Sequence, residues 1–324
     1  MYEYISSNRR KTIFIIIFFI LFISLLGFAI GYYIDYRYGI NGGFSVLLMI
    51  VALIFALITS FGSYYYSDKI VIAITNARPL THEENPRIFY IVEGLSIAAG
   101  IPMPKVYVID ELGMNAFATG RNPKNSIIVL TKGLIQNLDD EELKGVIAHE
   151  ISHIKNYDIL LGTIIAILVG MVVILSNIIF RSFLFGGGRR SSNKNSGGGI
   201  FNIIFLLLGL FLIILSPIIA MIIRFAISRQ REYLADSNGA LITRYPAGLA
   251  NALRKISAYS QVKTANNATE HMFIANPFGK GNKMAFSSLF NTHPPIEERI
   301  KRLEKMSLGI GVKSTEQIMQ EINK

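Results

Sequence analysis

A chain of 324 residues that is 51% hydrophobic and only 17% charged departs from a soluble globular domain, in which about a quarter of residues are charged. It has no cysteine, which excludes disulfides, thiolate zinc sites and cysteine nucleophiles and leaves His, Asp and Glu to hold any metal. The formal charge of +10 does not point to nucleic acid, because the basic residues are scattered and no aromatic–basic RNA motif accompanies them.

A bilayer-spanning helix needs about 20 mostly apolar residues, and four uncharged segments qualify: 12–34, 38–67 (helix about 44–67), 159–180 and 200–223. Arg9, Arg10 and Lys11 precede the first, as in a signal peptide. Its apolar run is longer than the usual core of about 7–15 residues, however, and no small-residue cleavage site follows. A retained anchor is expected. Lysine and arginine number three before the first span, one in the 35–43 loop, nine in 68–158, four in 181–199 and fifteen from Arg224 onward. The positive-inside bias therefore predicts a multi-pass protein of the cell membrane with both termini and both polar segments in the cytoplasm. Residues 181–199 contain "GGGRRSSNKNSGGG", a Gly/Ser-rich linker. Tyr64, Tyr65 and Tyr66 suit an interfacial aromatic belt.

Residues 68–158 read as a small α+β unit. "ENPRIFYIVEGLSIAAGI" has helical spacing with Gly100 as its stop, and "KVYVID" and "NSIIVLT" are strand-like. Between them "NAFATG", 115–120, suits an edge strand. "NLDDEELKGVIAHEISHIKN" opens with Asn137 or Asp139 as N-cap and acids in the first turn, so it is predicted helical. The expected organisation is a tail and transmembrane hairpin over 1–67, a polar α+β segment over 68–158, a second hairpin over 159–223 and a polar segment over 224–324.

On that helix His149-Glu150-x-x-His153 puts two imidazoles one turn apart on one face, since each residue turns the helix by about 100°. Such a pair can bind one zinc ion per chain, with Glu150 reaching a zinc-bound water whose pKa falls to about 7. A third ligand is required. His82, His271, His293 and several glutamates are candidates. Glu232 is the best placed, because the fourth span returns the chain to the same face just before it. Asp236, one turn further on, can accept a hydrogen bond from a ligating imidazole.

"AHEISHIKNYD", "SRQREYLAD" and "NTHPPIEERI" together resemble the HtpX-type integral-membrane zinc metalloproteases, relatives of the CAAX prenyl proteases. The resemblance covers nearly the whole chain and implies a mainly α membrane protein: four transmembrane helices plus a cytoplasmic α+β, zincin-like (gluzincin) catalytic domain. It implies His149, His153 and Glu232 as zinc ligands, Glu150 as general base and Asp236 as support for a zinc histidine. It also implies His293 as a transition-state stabiliser, and Asn115, Ala116, Phe117, Ala118 and Thr119 as a strand that pairs with extended substrate. The activity so implied is an endopeptidase cutting misfolded membrane proteins in quality control, with membrane-protein or peptide substrates and the lipid bilayer as partners. Two other readings compete. "ANPFG" near 276 faintly resembles the second motif of site-2-type intramembrane proteases, though the acidic start of the His149 helix argues against hydrocarbon. A scaffold with structural zinc is disfavoured by the lack of cysteine.

Overall fold

The computed structural model describes residues 2–39, 41–168, 170–171, 229–265, 269–278 and 294–307. Helix α1 spans Tyr2–Tyr38 and α2 spans Gly43–Tyr65, and both are long and apolar enough to cross a membrane. Helix α1 outruns its apolar stretch. At about 1.5 Å per residue it is nearly twice as long as the ~30 Å hydrocarbon core. It is therefore longer than a bilayer span needs, and its basic residues lie in its early turns. Gly27 and Gly31 let the two helices close: a Cβ at Gly27 would lie 2.6 Å from Ala52 Cβ, and one at Gly31 2.4 Å from Ser45 Cα. Small residues four apart are a common means of close helix contact in lipid. Asp35 then accepts hydrogen bonds from the N–H groups of Phe44 (3.1 Å) and Ser45 (2.8 Å) at the start of α2.

After α3 (Ser67–Thr75) comes a mixed sheet of β1 (Arg78–Pro79), β2 (Lys105–Ile109), β3 (Ala116–Asn122) and β4 (Asn125–Thr131). Its order is β1-β2-β4-β3, with β2 parallel to β4 and β3 antiparallel to it. Among the described residues the predicted edge strand is thus an edge strand, running to Asn122. Helix α4 (Pro86–Ala99) is capped by the Asn85 side chain and ends at Gly100, which sits at φ 70°; that left-handed turn favours glycine.

Helix α5 (Lys132–Asn137) leads into α6 (Asp140–Lys155). Of the two N-cap candidates Asp139 takes the role, in a capping box with Glu142. Asn137 instead closes α5, donating to the Gly133 carbonyl at 2.7 Å. Helix α7 (Asp158–Leu168) leaves α6 at 84° and is the first half of the predicted third span. The rest of that span, the 181–199 linker, the fourth span at 200–223 and His293 lie outside the described residues. Helices α8 (Arg229–Thr243), α9 (Pro246–Ala258) and α10 (Ile296–Ser307) follow, with a 3₁₀ turn at Glu270–Met272.

One core unites the two polar segments, since Leu95, Ile128, Val146, Ile147, Leu253 and Leu303 are buried in the same cluster. A second cluster joins Ile15, Phe19 and Ile23 of α1 to Leu161, Ile164 and Leu168 of α7. Helices α6 and α9 cross at two glycines. A Cβ at Gly145 would lie 2.5 Å from Leu249 N, and one at Gly248 2.4 Å from Glu141 O. Gly145→Ala is therefore expected to force the helices apart and cost about 1–3 kcal/mol of stability, read as a lower melting temperature. An unchanged melt would show that the crossing tolerates a methyl group.

Candidate metal centre

The helical spacing of the motif brings His149 Nε2 and His153 Nε2 to 3.1 Å of each other. Helix α8 crosses α6 at Gly239, where a Cβ would meet the His149 backbone nitrogen at 3.2 Å. That close approach carries Glu232, two turns earlier on α8, over the histidine pair. Its carboxylate lies 3.8 Å from His149 Nε2 and 3.6 Å from His153 Nε2, and ligand atoms of all three residues fall within 4.8 Å of one another.

Each imidazole is held from behind by its other nitrogen. His149 Nδ1 bonds Asp236 Oδ1 at 2.9 Å, and His153 Nδ1 bonds Asp158 Oδ2 at 3.1 Å. These carboxylates fix the rings so that both Nε2 atoms point to one spot, the usual outer support of a metal-binding histidine. The donor set fits zinc. Two nitrogens on one tetrahedral zinc stand about 3.4 Å apart, given Zn–N of about 2.0–2.1 Å, and two His with one carboxylate leave a fourth position open.

Electrostatics favour a cation at that spot. Burial holds His149 neutral, with its pKa lowered to about 4 against the opposing hydrogen bond from Asp236. Burial also disfavours charge on His153, but the Asp158 hydrogen bond and the Glu232 charge outweigh it and raise the pKa to about 9. A metal bound between the two imidazoles would displace the proton that His153 holds in its absence. Burial raises Glu150 to about 7.

Two charged partners were not anticipated from the sequence. Asp158 ends the quoted stretch "HEISHIKNYD", but nothing in its spacing shows that the bend between α6 and α7 turns it back onto His153. Arg299 lies within "NTHPPIEERI", on α10. It is fully buried, donates to both Asp236 oxygens (2.9 and 2.7 Å) and to the Ile274 carbonyl at 2.9 Å, and stands 3.5 Å from Glu232 Oε2. A buried cation needs such pairing, and in return Arg299 offsets the acids that gather behind the histidines.

The β3 strand forms one wall. The backbone N–H of Ala118 donates to the Glu150 carboxylate, so the outer edge of the strand abuts the motif glutamate. Asn115 is buried, and its amide nitrogen donates to the carbonyls of Ser260 (3.0 Å) and Ala275 (2.9 Å). The Ala116 carbonyl accepts from Ile274 N–H at 2.9 Å. Phe117 turns to the opposite side and meets Phe273 edge-on, while the Thr119 hydroxyl bonds Thr163 at 3.0 Å. Ala118 alone of these five lines the cleft itself.

The remaining histidines separate. His271 lines the cleft and donates from Nε2 to the Gly162 carbonyl at 3.0 Å, a placement no local pattern foretold. His82 packs against the rings of Phe89 and Tyr90 and has no part in the centre. Asn276 is engaged with Glu270 Oε1 (3.2 Å) and with the Phe278 N–H (2.8 Å), so Glu232 and not Asn276 completes the donor group.

The model of peptidase family M48 matches residues 82–307, which take in both arms of this centre. The chain belongs to peptidase family M48. The protease HtpX homologue of Dictyoglomus turgidum is 46% identical over 306 residues, 94% of each chain. That of Dictyoglomus thermophilum is 49% identical over 77% of this chain and 80% of its own length. That of Pyrococcus furiosus is 46% identical over 79% and 86%. A solved structure, S. mikatae Ste24p, shows a more distant likeness, with a TM-score of 0.45 and 22% identity over 94% of this chain and 67% of that one. With its M48 site and its apolar helices, the chain is a membrane-bound zinc metalloprotease of HtpX type.

Proposed function

We propose that this M48 protease cuts misfolded membrane proteins at the cytoplasmic face of the cell membrane, as part of membrane-protein quality control. The convergence of His149, His153 and Glu232 beside Glu150, at the elbow where α6 gives way to the apolar helix α7, carries the proposal. In this reading His149, His153 and Glu232 hold zinc, and Asp236 and Asp158 orient the two imidazoles. Zinc supplies Lewis-acid polarisation of a carbonyl and a water of lowered pKa. Glu150 takes the water's proton and returns it to the leaving amine. An extended substrate adds along the β3 edge from Ala118 onward, where backbone groups recognise any sequence. His293, which lies outside the described residues, supplies an oxyanion partner in this reading.

The four-span topology and the cytoplasmic orientation belong to the same proposal. They rest on the four apolar segments and on the lysine and arginine counts, which put both termini and both polar segments on one side. The acidic start of α6, with Glu141 and Asp140 exposed, argues against an intramembrane site, because charges at that depth are costly.

Purified protein is expected to cleave a destabilised membrane protein, and a chelator to stop it; cleavage unaffected by chelation would overturn the reading. Orientation is open to cysteine labelling on this cysteine-free background. Lys301→Cys on α10 is expected to react only in inverted vesicles, and Asn41→Cys, between the first two spans, only in intact cells. The reverse pattern would refute cytoplasmic action.

A further inference from the structure

The first turns of α1 reach the metal centre. Asn8 is buried, and its side-chain amide donates to the Asn156 carbonyl at 2.9 Å and to Asp158 Oδ1 at 2.7 Å. The other oxygen of that carboxylate, Oδ2, holds His153 Nδ1. A continuous chain of hydrogen bonds therefore runs from the membrane anchor through Asp158 to His153. It joins residues 150 positions apart in sequence.

The surroundings explain why a neutral donor stands here. Asp158 also faces Arg231, whose Nη1 is 3.7 Å from Oδ1, and Lys11 of α1 feels its charge. A carboxylate with a cation at one side and an imidazole at the other can swing toward the cation. An amide hydrogen bond pins Oδ1 without neutralising the carboxylate, so Oδ2 keeps its aim and its basicity toward His153. The elbow itself needs bracing. Tyr157, between α6 and α7, has φ 60°, a left-handed conformation that a bulky residue adopts only when its surroundings hold it. Asn8 grips the carbonyl of Asn156 just before it, and the Arg9 guanidinium lies over the Tyr157 ring at 4.7 Å.

We propose that Asn8 is a positioning residue of the zinc centre: helix α1 orients Asp158, which orients His153, so that the membrane anchor is part of the metal-binding apparatus. This rests on the reading of His153 as a zinc ligand.

The test is zinc affinity of the full chain in detergent or nanodiscs, by competition with a chromogenic chelator. Asp158→Ala is expected to weaken zinc binding roughly 10–100-fold, as loss of an outer carboxylate does. Asn8→Ala is expected to weaken it roughly 3–10-fold, a smaller share of the same effect. In an Asp158→Ala background Asn8→Ala should add nothing, because both act through one carboxylate. Asn8→Gln retains the two N–H donors and should recover part of the loss; with Asp158→Asn it also carries the test should Asn8→Ala fail to fold. Arg10→Ala changes an exposed residue of the same helix end without touching Asp158 or the elbow, and should leave zinc affinity within about twofold, the scatter expected of an uncoupled site. Wild-type affinity in Asn8→Ala, multiplying effects of Asn8 and Asp158, or a loss in Arg10→Ala equal to that in Asn8→Ala would each overturn the proposal. His153→Ala separates the two levels. If it keeps zinc, the ligand assignment fails and this inference with it; if it loses zinc while Asn8→Ala does not, the inference alone fails.

Discussion

Glu150→Gln is expected to lower peptide hydrolysis by about 10²–10⁴-fold, the usual worth of a positioned general base, while zinc stays bound. The glutamate is buried beside both histidines and contacts the β3 edge through Ala118 N–H, so it lies where a base must be, and it is not among the three grouped donors. Glutamine keeps the shape and the acceptor for Ala118 but cannot take a proton. Its effect on stability has a definite sign. The Glu150 pKa rises from 4.5 to about 7 on burial, so between those values the folded state binds the proton and the unfolded state does not. The Glu150 contribution to the stability of metal-free wild type is therefore lost as pH rises through that window, while His149, whose pKa falls from 6.5 to about 4 on burial, contributes in the opposite sense. Metal-free Glu150→Gln lacks this group, so the melting temperature of wild type relative to the variant should fall as pH rises across it. Zinc content, hydrolysis rate and melting curves read the three parts separately, and full activity in this variant would remove Glu150 from the chemistry.

Glu232→Ala should be more severe for the metal itself. It deletes one of the three grouped donors, so zinc affinity is expected to fall by more than the roughly 10–100-fold that loss of an outer partner costs. Asp236→Asn, which removes no donor of the group but weakens the support of His149 and the pairing of Arg299, should stay inside that range. The fold is expected to survive Glu232→Ala, because Arg299 keeps both of its short bonds to Asp236. A spectroscopic sign accompanies the loss. The charge of Glu232 helps hold His153 protonated, so in the metal-free variant the His153 pKa should drop below about 9 in an imidazole titration followed by NMR. Retained zinc in Glu232→Ala would mean that another side chain closes the set.

What the sequence made legible follows from short-range rules. Two histidines four apart on a capped helix must share a face, a stretch of uncharged residues of sufficient length must be read as a span, and "NAFATG" between two strand-like runs suits an edge. Each depends on neighbours within a few residues, and α1, α2, α6 and β3 bear these readings out. Asn137 was the exception: two plausible caps stood two residues apart, and only the capping-box bond of Asp139 separates them.

Glu232 lay at the limit of that reasoning. Its membership followed from counting membrane crossings and from the family motif, not from local pattern. The tertiary structure decided the rest. Arg299 meets Asp236 across 63 positions and Asn8 meets Asp158 across 150, and His271 reaches the cleft wall from 109 positions beyond Gly162. The physical reason is one of range. Helical periodicity and apolar length are properties of a segment, whereas the outer carboxylates of a metal centre and the partners that steer them are chosen by how the helices cross. Those crossings, at Gly145, Gly239 and Gly248 and at the strained elbow of Tyr157, depend on the close approach of distant backbones.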